Sequence, residues 1–408
     1  MQPTVRRHHP QTTLRIAIVT ETYPPEINGV ARTVGLMVDG LLKRGHQIEL
    51  VRPRQTCDRD RPPATPRDGF DERLTLGIPI PSYPDLQLGI TRIGRLLRAW
   101  RARRPDVVHL VTEGPLGWSA LLAARKLGIP VVSDFHTNFH DYSGHYGFGL
   151  ISGLVEGYLR ALHNRTQRTF VPTREMHDRL LAREFNGLTI VGRGIDTQLF
   201  SPAKRSAELR RSWQCNDDTP VALYVGRLAP EKNLRLFVET IRAAHWHRPD
   251  LRVVVVGDGP MGKRLRSDNP DFHFAGMRTG EDLSAHYASA DLFVFPSLSE
   301  TFGNVTMEAL ASGLAVIAFD YAAAREHIVH GHNGLVADCD DEIAFRRHTL
   351  RVASSPHDAM KMRAQARRTA KSLSWSNSVD ALERSLVEIA GTPRRATPES
   401  APIAAATD

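Results

Sequence analysis

The chain has 408 residues, of which 41% are hydrophobic and 24% are charged, and this composition excludes a largely disordered protein. The length is sufficient for two domains, each with its own hydrophobic core. The formal net charge of +8 favours an anionic partner, and a nucleotide diphosphate, an acidic membrane and a nucleic acid all meet that condition.

The N-terminus, the apolar runs and the cysteines bear on the compartment. Residues 1–13 carry basic side chains without the apolar core of a secretory signal, so we expect a disordered leader there. No apolar run approaches the length that spans a bilayer. The three cysteines, Cys57, Cys215 and Cys339, are odd in number and far apart, which indicates neither a disulfide framework nor a zinc cluster. A reducing cytoplasm is the expected location.

Strand-like and helix-like segments alternate along the first half of the chain. The predicted strands are residues 14–20, 47–53, 106–111, 129–136 and 169–172. The predicted helices are residues 30–44, 90–103 and 117–127, and the Pro-rich stretch 54–69 is predicted to be a loop.

The same alternation begins again in the second half. The predicted strands there are 221–227, 251–257, 272–276, 291–296 and 314–320, and the predicted helices are 233–245, 283–288, one that opens near residue 305, and 374–390. Alternating strands and helices imply parallel sheets with helices on both faces. The two runs meet near residues 194–202 and predict an α/β protein with two Rossmann-like domains, residues 14–196 and 197–373. Ligands of such sheets bind beyond the carboxyl ends of the strands.

Two glutamates flank a glycine-containing turn in the second half. Glu300 and Glu308 stand eight positions apart, around a turn that lies between a strand-like apolar run and the start of a helix. The turn and the helix start consist of Phe302, Gly303, Asn304 and Val305. Backbone N–H groups at a helix start have no partner within the helix and attract anions. Carboxylates repel a phosphate and are better suited to holding hydroxyls, so a ligand with both phosphates and sugars fits this arrangement.

This segment resembles the retaining GT-B glycosyltransferases of family four, whose hallmark is two glutamates separated by seven residues. The resemblance extends from Arg15 to about Gly391. It implies two Rossmann-like domains facing a central cleft and a C-terminal helix (374–391) that returns to the first domain. Residues 392–408 are rich in Pro and Ala, and this composition predicts a disordered tail. The resemblance also implies that Glu300 contacts the donor sugar and Glu308 the nucleotide ribose. Asn304 occupies a place that is often apolar in the family, which we interpret as a subgroup feature.

The segment LYVGRLAPEKN carries two cations on one loop. It places Arg227 at the end of a strand and Lys232 at the start of the next helix. Two cations in such a loop can converge on a pyrophosphate, although an isolated pair is usually a solvated surface feature. The resemblance favours the first interpretation, because G-R-x-x-x-E-K-N matches the phosphate clamp of the family.

Two glycine-containing loops are candidates for the donor pocket. Gly29 follows the first strand and is either a simple tight turn or a place where the backbone approaches a ligand closely. The resemblance places this loop near the donor phosphates and the acceptor. The sequence GDGPMG, which begins at Gly257, matches G-x-G-x-x-G and by itself would indicate a dinucleotide oxidoreductase. Its strand is not the first of its series and no acid ends the next strand, so we interpret this loop as a wall of the nucleotide pocket.

Two histidines lie at and just after the end of the predicted strand 129–136. By resemblance, His136 is the histidine beside the reacting sugar, where it would form a hydrogen bond with a sugar hydroxyl. His140 is interpreted as structural or as part of the acceptor site. A lone histidine is more often a core or surface residue than a functional one. No third ligand accompanies the pair, so we expect no metal site.

An arginine-rich helix is predicted between Gly89 and Pro105. Apolar side chains share one stripe of it, and six arginines lie largely elsewhere. The helix either packs on its sheet with a solvated basic face or contacts anionic lipid headgroups. The second alternative would make the protein peripheral on the inner face of the cell membrane.

The resemblance implies an enzyme that needs neither metal nor cofactor and transfers a hexose from a nucleotide diphosphate sugar to an acceptor hydroxyl, with retention. We favour α-mannosyl transfer from GDP-mannose to a glycolipid or cell-envelope glycan, with no nucleic-acid partner. Arg227 and Lys232 would stabilise the leaving diphosphate, and His136 and Glu300 would act at the sugar. A UDP-sugar-dependent diacylglycerol glycosyltransferase is the second choice. A GT-B nucleotide-sugar epimerase and a non-catalytic sugar-nucleotide binding protein stay open.

Overall fold

The computed structural model describes residues 13–26, 28–55, 58, 67–80, 83–136, 149–300 and 302–391. Within these residues the backbone forms two separate sheets, one in each half of the chain. Helices pack on both faces of each sheet, and the candidate site lies between the two domains.

The first domain is built on an eight-stranded sheet. Its strands are β1 (Arg15–Val19), β2 (Gln47–Pro53), β3 (Phe70–Ile80), β4 (Tyr83–Ile90), β5 (Val107–Leu110), β6 (Val131–Asp134), β7 (Arg168–Val171) and β8 (Leu188–Ile190). Its helices are α1 (Gly29–Lys43), α2 (Ile93–Ala102), α3 (Pro115–Leu127), α4 (Gly149–His163) and α5 (Arg174–Leu181). The strand order is β4-β3-β2-β1-β5-β6-β7-β8.

The second domain is built on a six-stranded parallel sheet. Its strands are β9 (Val221–Val225), β10 (Arg252–Val256), β11 (His273–Gly276), β12 (Leu292–Phe295), β13 (Ala315–Phe319) and β14 (Gly334–Ala337), in the order β11-β10-β9-β12-β13-β14. Its helices are α6 (Ala207–Ser212), α7 (Leu234–His245), α8 (Gly262–Asp268), α9 (Gly280–Ser289), α10 (Asn304–Ala311), α11 (Ala322–His327), α12 (Glu342–Ser354) and α13 (Pro356–Lys371), and the last helix of the chain is α14 (Trp375–Gly391). Short 3-10 turns cover Pro202–Lys204 and Pro230–Lys232.

The central strands are continuous apolar runs because helices cover both of their faces. In β1, Ile16 and Ile18 pack in the cluster that contains α1, whereas Ala17 and Val19 pack in the cluster that contains α2 and α3. All five residues of β9 are buried in the same way. The predicted pair of Rossmann-like sheets is therefore confirmed.

An antiparallel hairpin departs from the sequence prediction. β3 and β4 pair antiparallel at the edge of the first sheet, with Leu76 opposite Ile90. The helix predicted from residue 90 consequently begins at Ile93. Helices α4 and α5 were also absent from the prediction. An edge hairpin is hard to predict because its side chains are only partly covered, and Leu74 and Leu76 are exposed here.

Helix α14 packs back on the first domain, as the resemblance implied. Its residues Val379, Leu382 and Leu386 are buried in the cluster that contains α1. Val379 lies directly over Gly40 of α1, where an added Cβ would be 2.6 Å from a Val379 methyl carbon. Oε1 of Glu383 accepts a hydrogen bond from Nε2 of His46 at 2.8 Å, so polar contacts accompany the apolar ones.

The chain connects the two domains twice, near residues 194–195 and near residues 373–375, and these two connections run side by side. The backbone N–H of Ile195 donates to the carbonyl of Leu373 at 2.9 Å, and Ile195 forms an isolated parallel bridge with Ser374. Gly194 makes this close approach possible, because an added Cβ would lie 2.3 Å from the backbone nitrogen of Trp375. No described helix is both long enough and apolar enough to cross a bilayer.

Candidate active site

The charged residues of the second domain meet beyond the carboxyl ends of β9 and β12. Lys232 ends the 3-10 turn after β9, and its Nζ lies 2.6 Å from Oε1 of Glu300 in the loop after β12. Ser297 Oγ donates to the same carboxylate oxygen at 2.9 Å. Both Lys232 and Glu300 are less than one fifth exposed. Because adjacent parallel strands end at one edge, residues 68 positions apart form this pair.

The other two predicted residues of this edge lie on the neighbouring loops. Arg227 follows β9, is 41% exposed, and has its Nη1 4.0 Å from the carboxylate of Glu231. Gly257 follows β10 with φ = 129°, and an added Cβ would lie 2.0 Å from the carbonyl oxygen of Gly226. Gly257 is thus required for packing against the strand end that carries Arg227. Its contact with a nucleotide stays a prediction.

The turn between the two glutamates leads directly into helix α10. Phe302 is buried, and Gly303 adopts φ = 94°, a left-handed conformation that favours glycine. Asn304 and Val305 form the first turn of the helix. No side chain of the described residues caps this helix start, so its backbone donors are available to an anion.

A second helix start faces this one from the first domain. Asn28 caps α1 by accepting the backbone N–H of Ala31 at 2.8 Å, and Gly29 is the first residue of the helix. A Cβ added to Gly29 would lie 3.1 Å from Nδ2 of Asn304. The positive ends of two helix dipoles therefore meet across the interdomain space. This arrangement favours an anionic group between them.

Glu308, in the second turn of α10, is a buried carboxylate with partners from two domains. Arg32 of α1 forms an ion pair with Glu308 Oε1, and the Tyr287 hydroxyl donates to Oε2 at 2.9 Å. Burial raises the pKa of Glu308, and the Arg32 charge and the Tyr287 hydrogen bond oppose that effect. Sequence reasoning missed Arg32 and Tyr287. The signal for Arg32 was its place one turn into the helix that Gly29 begins.

His136 lies just beyond β6 in a buried polar cluster. Its Nδ1 is 2.8 Å from Nη2 of Arg193, and its Nε2 is 3.4 Å from Oδ2 of Asp134. Asp134 also lies 2.8 Å from Nε2 of His109. The backbone N–H of His136 donates to Glu113 at 3.3 Å. Burial acts to raise the pKa of Asp134, but the two histidines outweigh it and hold that pKa well below the usual range.

The structure thus brings most of the predicted site residues to the space between the domains. Lys232 pairs with Glu300, Gly29 faces Asn304, and Arg193 lies over the ring of Phe302, with 5.4 Å between its Cζ and the ring centroid. His136 reaches this turn through Arg193, a residue that sequence reasoning did not select. His140 lies outside the described residues.

The basic helix α2 shows the predicted division of its side chains. Leu96, Leu97 and Trp100 are buried. The exposed arginines in and beside the helix are Arg92, Arg95, Arg98, Arg101, Arg103 and Arg104. Both interpretations of this segment share that arrangement, so lipid contact stays a prediction. Among the described residues, no group of three or more His, Cys, Asp or Glu side chains could hold a metal ion.

Comparison with known proteins connects this geometry to a family. Residues 27–199 match the family described as Glycosyltransferase Family 4, and residues 219–355 match the family described as Glycosyl transferases group 1. A GDP-mannose-dependent alpha-mannosyltransferase of Mycolicibacterium smegmatis is 37% identical over 328 residues, covering 80% of this chain and 85% of that relative. An alpha-monoglucosyldiacylglycerol synthase of Acholeplasma laidlawii is 27% identical over 364 residues, covering 84% of this chain and 89% of that relative.

The fold also matches solved structures. The sucrose-phosphate synthase of Thermosynechococcus elongatus superposes with a TM-score of 0.74 at 18% identity, covering 92% of this chain and 99% of that one. The GT-B arrangement implied by the sequence, with two Rossmann-like domains facing a cleft, is therefore confirmed.

Proposed function

The chain belongs to glycosyltransferase family 4, and on that premise we propose that it transfers an α-mannosyl group from GDP-mannose to an acceptor hydroxyl of a glycolipid or cell-envelope glycan. The observation that carries the proposal is the convergence of Lys232, Glu300 and two helix N-termini on one interdomain space. A nucleotide diphosphate sugar matches both kinds of group. Its diphosphate is an anion that Lys232 and the helix N-termini can bind, and its sugar hydroxyls can donate to the carboxylates.

The donor would bind with its diphosphate between the N-termini of α1 and α10. Lys232 offers a point charge, and Arg227 on the same loop offers paired donors. Charge accumulates on the leaving diphosphate as the glycosidic bond breaks, and donors already in place stabilise that charge without reorganisation. These groups can perform this role without a metal ion, so we propose metal-independent transfer.

The two glutamates would hold the hydroxyl-bearing parts of the donor. Glu300 lies next to Lys232, so it can accept a sugar hydroxyl while the cation binds the adjoining phosphate. Glu308 lies about one helical turn beyond the start of α10 and is buried, and we assign it to the ribose hydroxyls. Gly257 would form a wall of the nucleotide pocket.

The first domain would supply the acceptor side of the reaction. His136 lies near the donor turn through Arg193 and Phe302, and we assign it a hydrogen bond with a sugar hydroxyl. We propose retention through displacement on one face of the sugar. In that reaction the acceptor oxygen bonds to the anomeric carbon, the bond to the phosphate oxygen breaks, and the departing phosphate takes the acceptor proton.

Thermal unfolding in the presence of GDP, UDP and ADP tests the choice of donor. GDP should raise the unfolding midpoint most, because ligands that bind only the folded state stabilise it. Strong stabilisation by UDP without stabilisation by GDP would contradict the GDP-mannose assignment. Magnetic resonance of the anomeric proton in the product then distinguishes retention from inversion.

A UDP-sugar-dependent transfer to diacylglycerol is the second candidate. It is supported by the similarity to the alpha-monoglucosyldiacylglycerol synthase over most of both chains. Incubation with labelled GDP-mannose or UDP-glucose, with and without diacylglycerol, separates the candidates. An epimerase would convert the donor without acceptor, and a non-catalytic binding protein would leave the donor unchanged.

A further inference from the structure

Arg193 joins the histidine of the first domain to the donor turn of the second. It lies three residues after the end of β8 and is 8% exposed. Its Nη2 donates to Nδ1 of His136 at 2.8 Å, and its Cζ lies 5.4 Å from the centroid of Phe302. One buried guanidinium therefore contacts both halves of the proposed reaction centre.

The contact with His136 determines where the imidazole carries its proton. A guanidinium can only donate hydrogen bonds, so Nδ1 of His136 must accept and the proton of the neutral ring must be on Nε2. That nitrogen is 3.4 Å from the Asp134 carboxylate, which favours the same proton position. His109 also contacts Asp134, and Glu113 accepts the backbone N–H of His136. The hydrogen bond from Arg193 thus selects one tautomer, and the Asp134 carboxylate lies on the other side of the ring.

Arg193 is an unusual buried cation. No carboxylate of the described residues forms an ion pair with it, although Asp134 acts on it at longer range. Burial lowers the pKa of Arg193 to about 10, so the side chain remains charged at neutral pH. A buried charge without an ion-pair partner is expensive to desolvate. A role at the site explains its presence better than stability does.

We propose that Arg193 is a positioning residue that holds the His136 imidazole in one tautomer and orientation beside Phe302, so that the ring is aligned with the donor sugar when the two domains meet. This inference rests on the proposed function, because His136 is assigned there to the sugar. It adds a residue that the sequence motifs of the site do not contain.

The Arg193→Met and Arg193→Lys variants test the proposal. Methionine has similar length but no donor, whereas lysine keeps a cation and a donor. With GDP-mannose and acceptor, R193M should lower kcat by about 10²-fold, the loss expected when a reacting group is misplaced. The donor KM should change by less than about threefold, because the nucleotide contacts lie elsewhere. R193K should recover part of the loss, and Arg264→Met on the exposed face of α8 should leave kcat unchanged.

A double variant separates positioning from general damage. In a His136→Ala background, R193M should cost less than about threefold further, because residues that act as a unit are not additive. An equal loss in both backgrounds would overturn the proposal. The unfolding midpoint of R193M should change little, because the lost hydrogen bond to His136 is offset by removal of a buried charge that has no ion-pair partner among the described residues.

Nitrogen-15 spectra of the histidine rings give a readout that needs no substrate. The His136 signals, assigned by comparison with His136→Ala, should show one accepting and one protonated nitrogen in the wild type. In R193M they should change to those of an unrestrained ring, and unchanged signals would overturn the proposal. If the wild type transfers no mannose, the proposed function fails while this spectrum still decides whether Arg193 positions the ring. Should R193M not fold, R193K is compared instead: its kcat and its ring signals should depart from the wild type together. A lowered kcat in R193K with ring signals identical to those of the wild type would overturn the proposal.

Discussion

Arg32 on the first helix of one domain forms an ion pair with Glu308 on α10 of the other, across 276 positions of sequence. Because Tyr287 donates to the second carboxylate oxygen, both oxygens of Glu308 already accept hydrogen bonds from protein groups. A ribose that binds Glu308 must share or displace the Arg32 contact. If Glu308 binds the ribose as proposed, donor binding is coupled to this contact between the domains.

Replacing Glu308 by Gln should weaken GDP binding. The substitution keeps the size of the side chain but removes the charge that strengthens hydrogen bonds with the ribose hydroxyls, a loss of roughly 1.5–3 kcal/mol. Isothermal titration calorimetry with GDP measures the change. Glu388→Gln, which makes the same chemical change in a surface ion pair, is the control and should leave the affinity unaltered. Equal affinities of E308Q and wild type would contradict the ribose assignment.

Replacing Lys232 by Ala should abolish most turnover while the fold stays intact. The ammonium lies at the proposed position of the leaving diphosphate, and loss of one such stabilising group costs about 10²–10³-fold in kcat. Lys263→Ala, at an exposed position of α8, is the matched control. Steady-state rates with GDP-mannose, together with thermal unfolding, give the result. Near-normal turnover in K232A would remove the clamp from the mechanism.

Replacing Gly29 by Ala should interfere with donor binding through Asn304. The added methyl group would lie 3.1 Å from Nδ2 of Asn304, so that side chain must move at the helix start to which we assign the donor diphosphate. The weaker GDP binding of G29A should be restored in part by Asn304→Ala. We expect a coupling energy of roughly 0.5–3 kcal/mol in the double-mutant cycle. Strictly additive effects would show that the two helix starts act separately.

Replacing Gly194 by Ala should destabilise the protein. The new Cβ would lie 2.3 Å from the backbone nitrogen of Trp375, and backbone atoms cannot move aside as a flexible side chain can. Overpacking of this kind costs about 1–3 kcal/mol, measured as a lower midpoint of urea unfolding. Gly192→Ala places its Cβ in open space and should have little effect. Equal unfolding curves for both variants would contradict the close approach of the two connections.

The basic face of α2 predicts salt-sensitive binding to anionic vesicles. Arg95, Arg98 and Arg101 are exposed, and each cation near such a surface contributes about 1 kcal/mol at low salt. Changing these three to Gln should reduce co-sedimentation with phosphatidylserine-containing vesicles. A control that removes the same charge elsewhere is provided by Lys361, Arg368 and Lys371 on α13 changed to Gln. Equal binding to neutral and anionic vesicles, or binding to neither, would refute the prediction.

Local patterns were sufficient for the elements that surround the site. The apolar runs of β9 and β12 predict buried strands. The glycine of the left-handed turn at Gly303 predicts the start of the helix that follows it. The same holds for the placement of Lys232 and Glu300 in the loops that follow β9 and β12. The hairpin β3–β4 was missed because its outer face is exposed and its residues lack the full burial that marks a central strand.

The sequence by itself determined two alternating series of strands and helices, the family, and the residues that follow the strand ends. Only the tertiary structure decided which of those residues touch. The pairing of Arg32 with Glu308, the contact of Arg193 with His136 and the approach of Gly194 to Trp375 join segments that no local pattern relates. Periodicity reports which face of a segment is buried, whereas contacts between distant segments depend on how the sheets stack and how the two domains are turned toward each other.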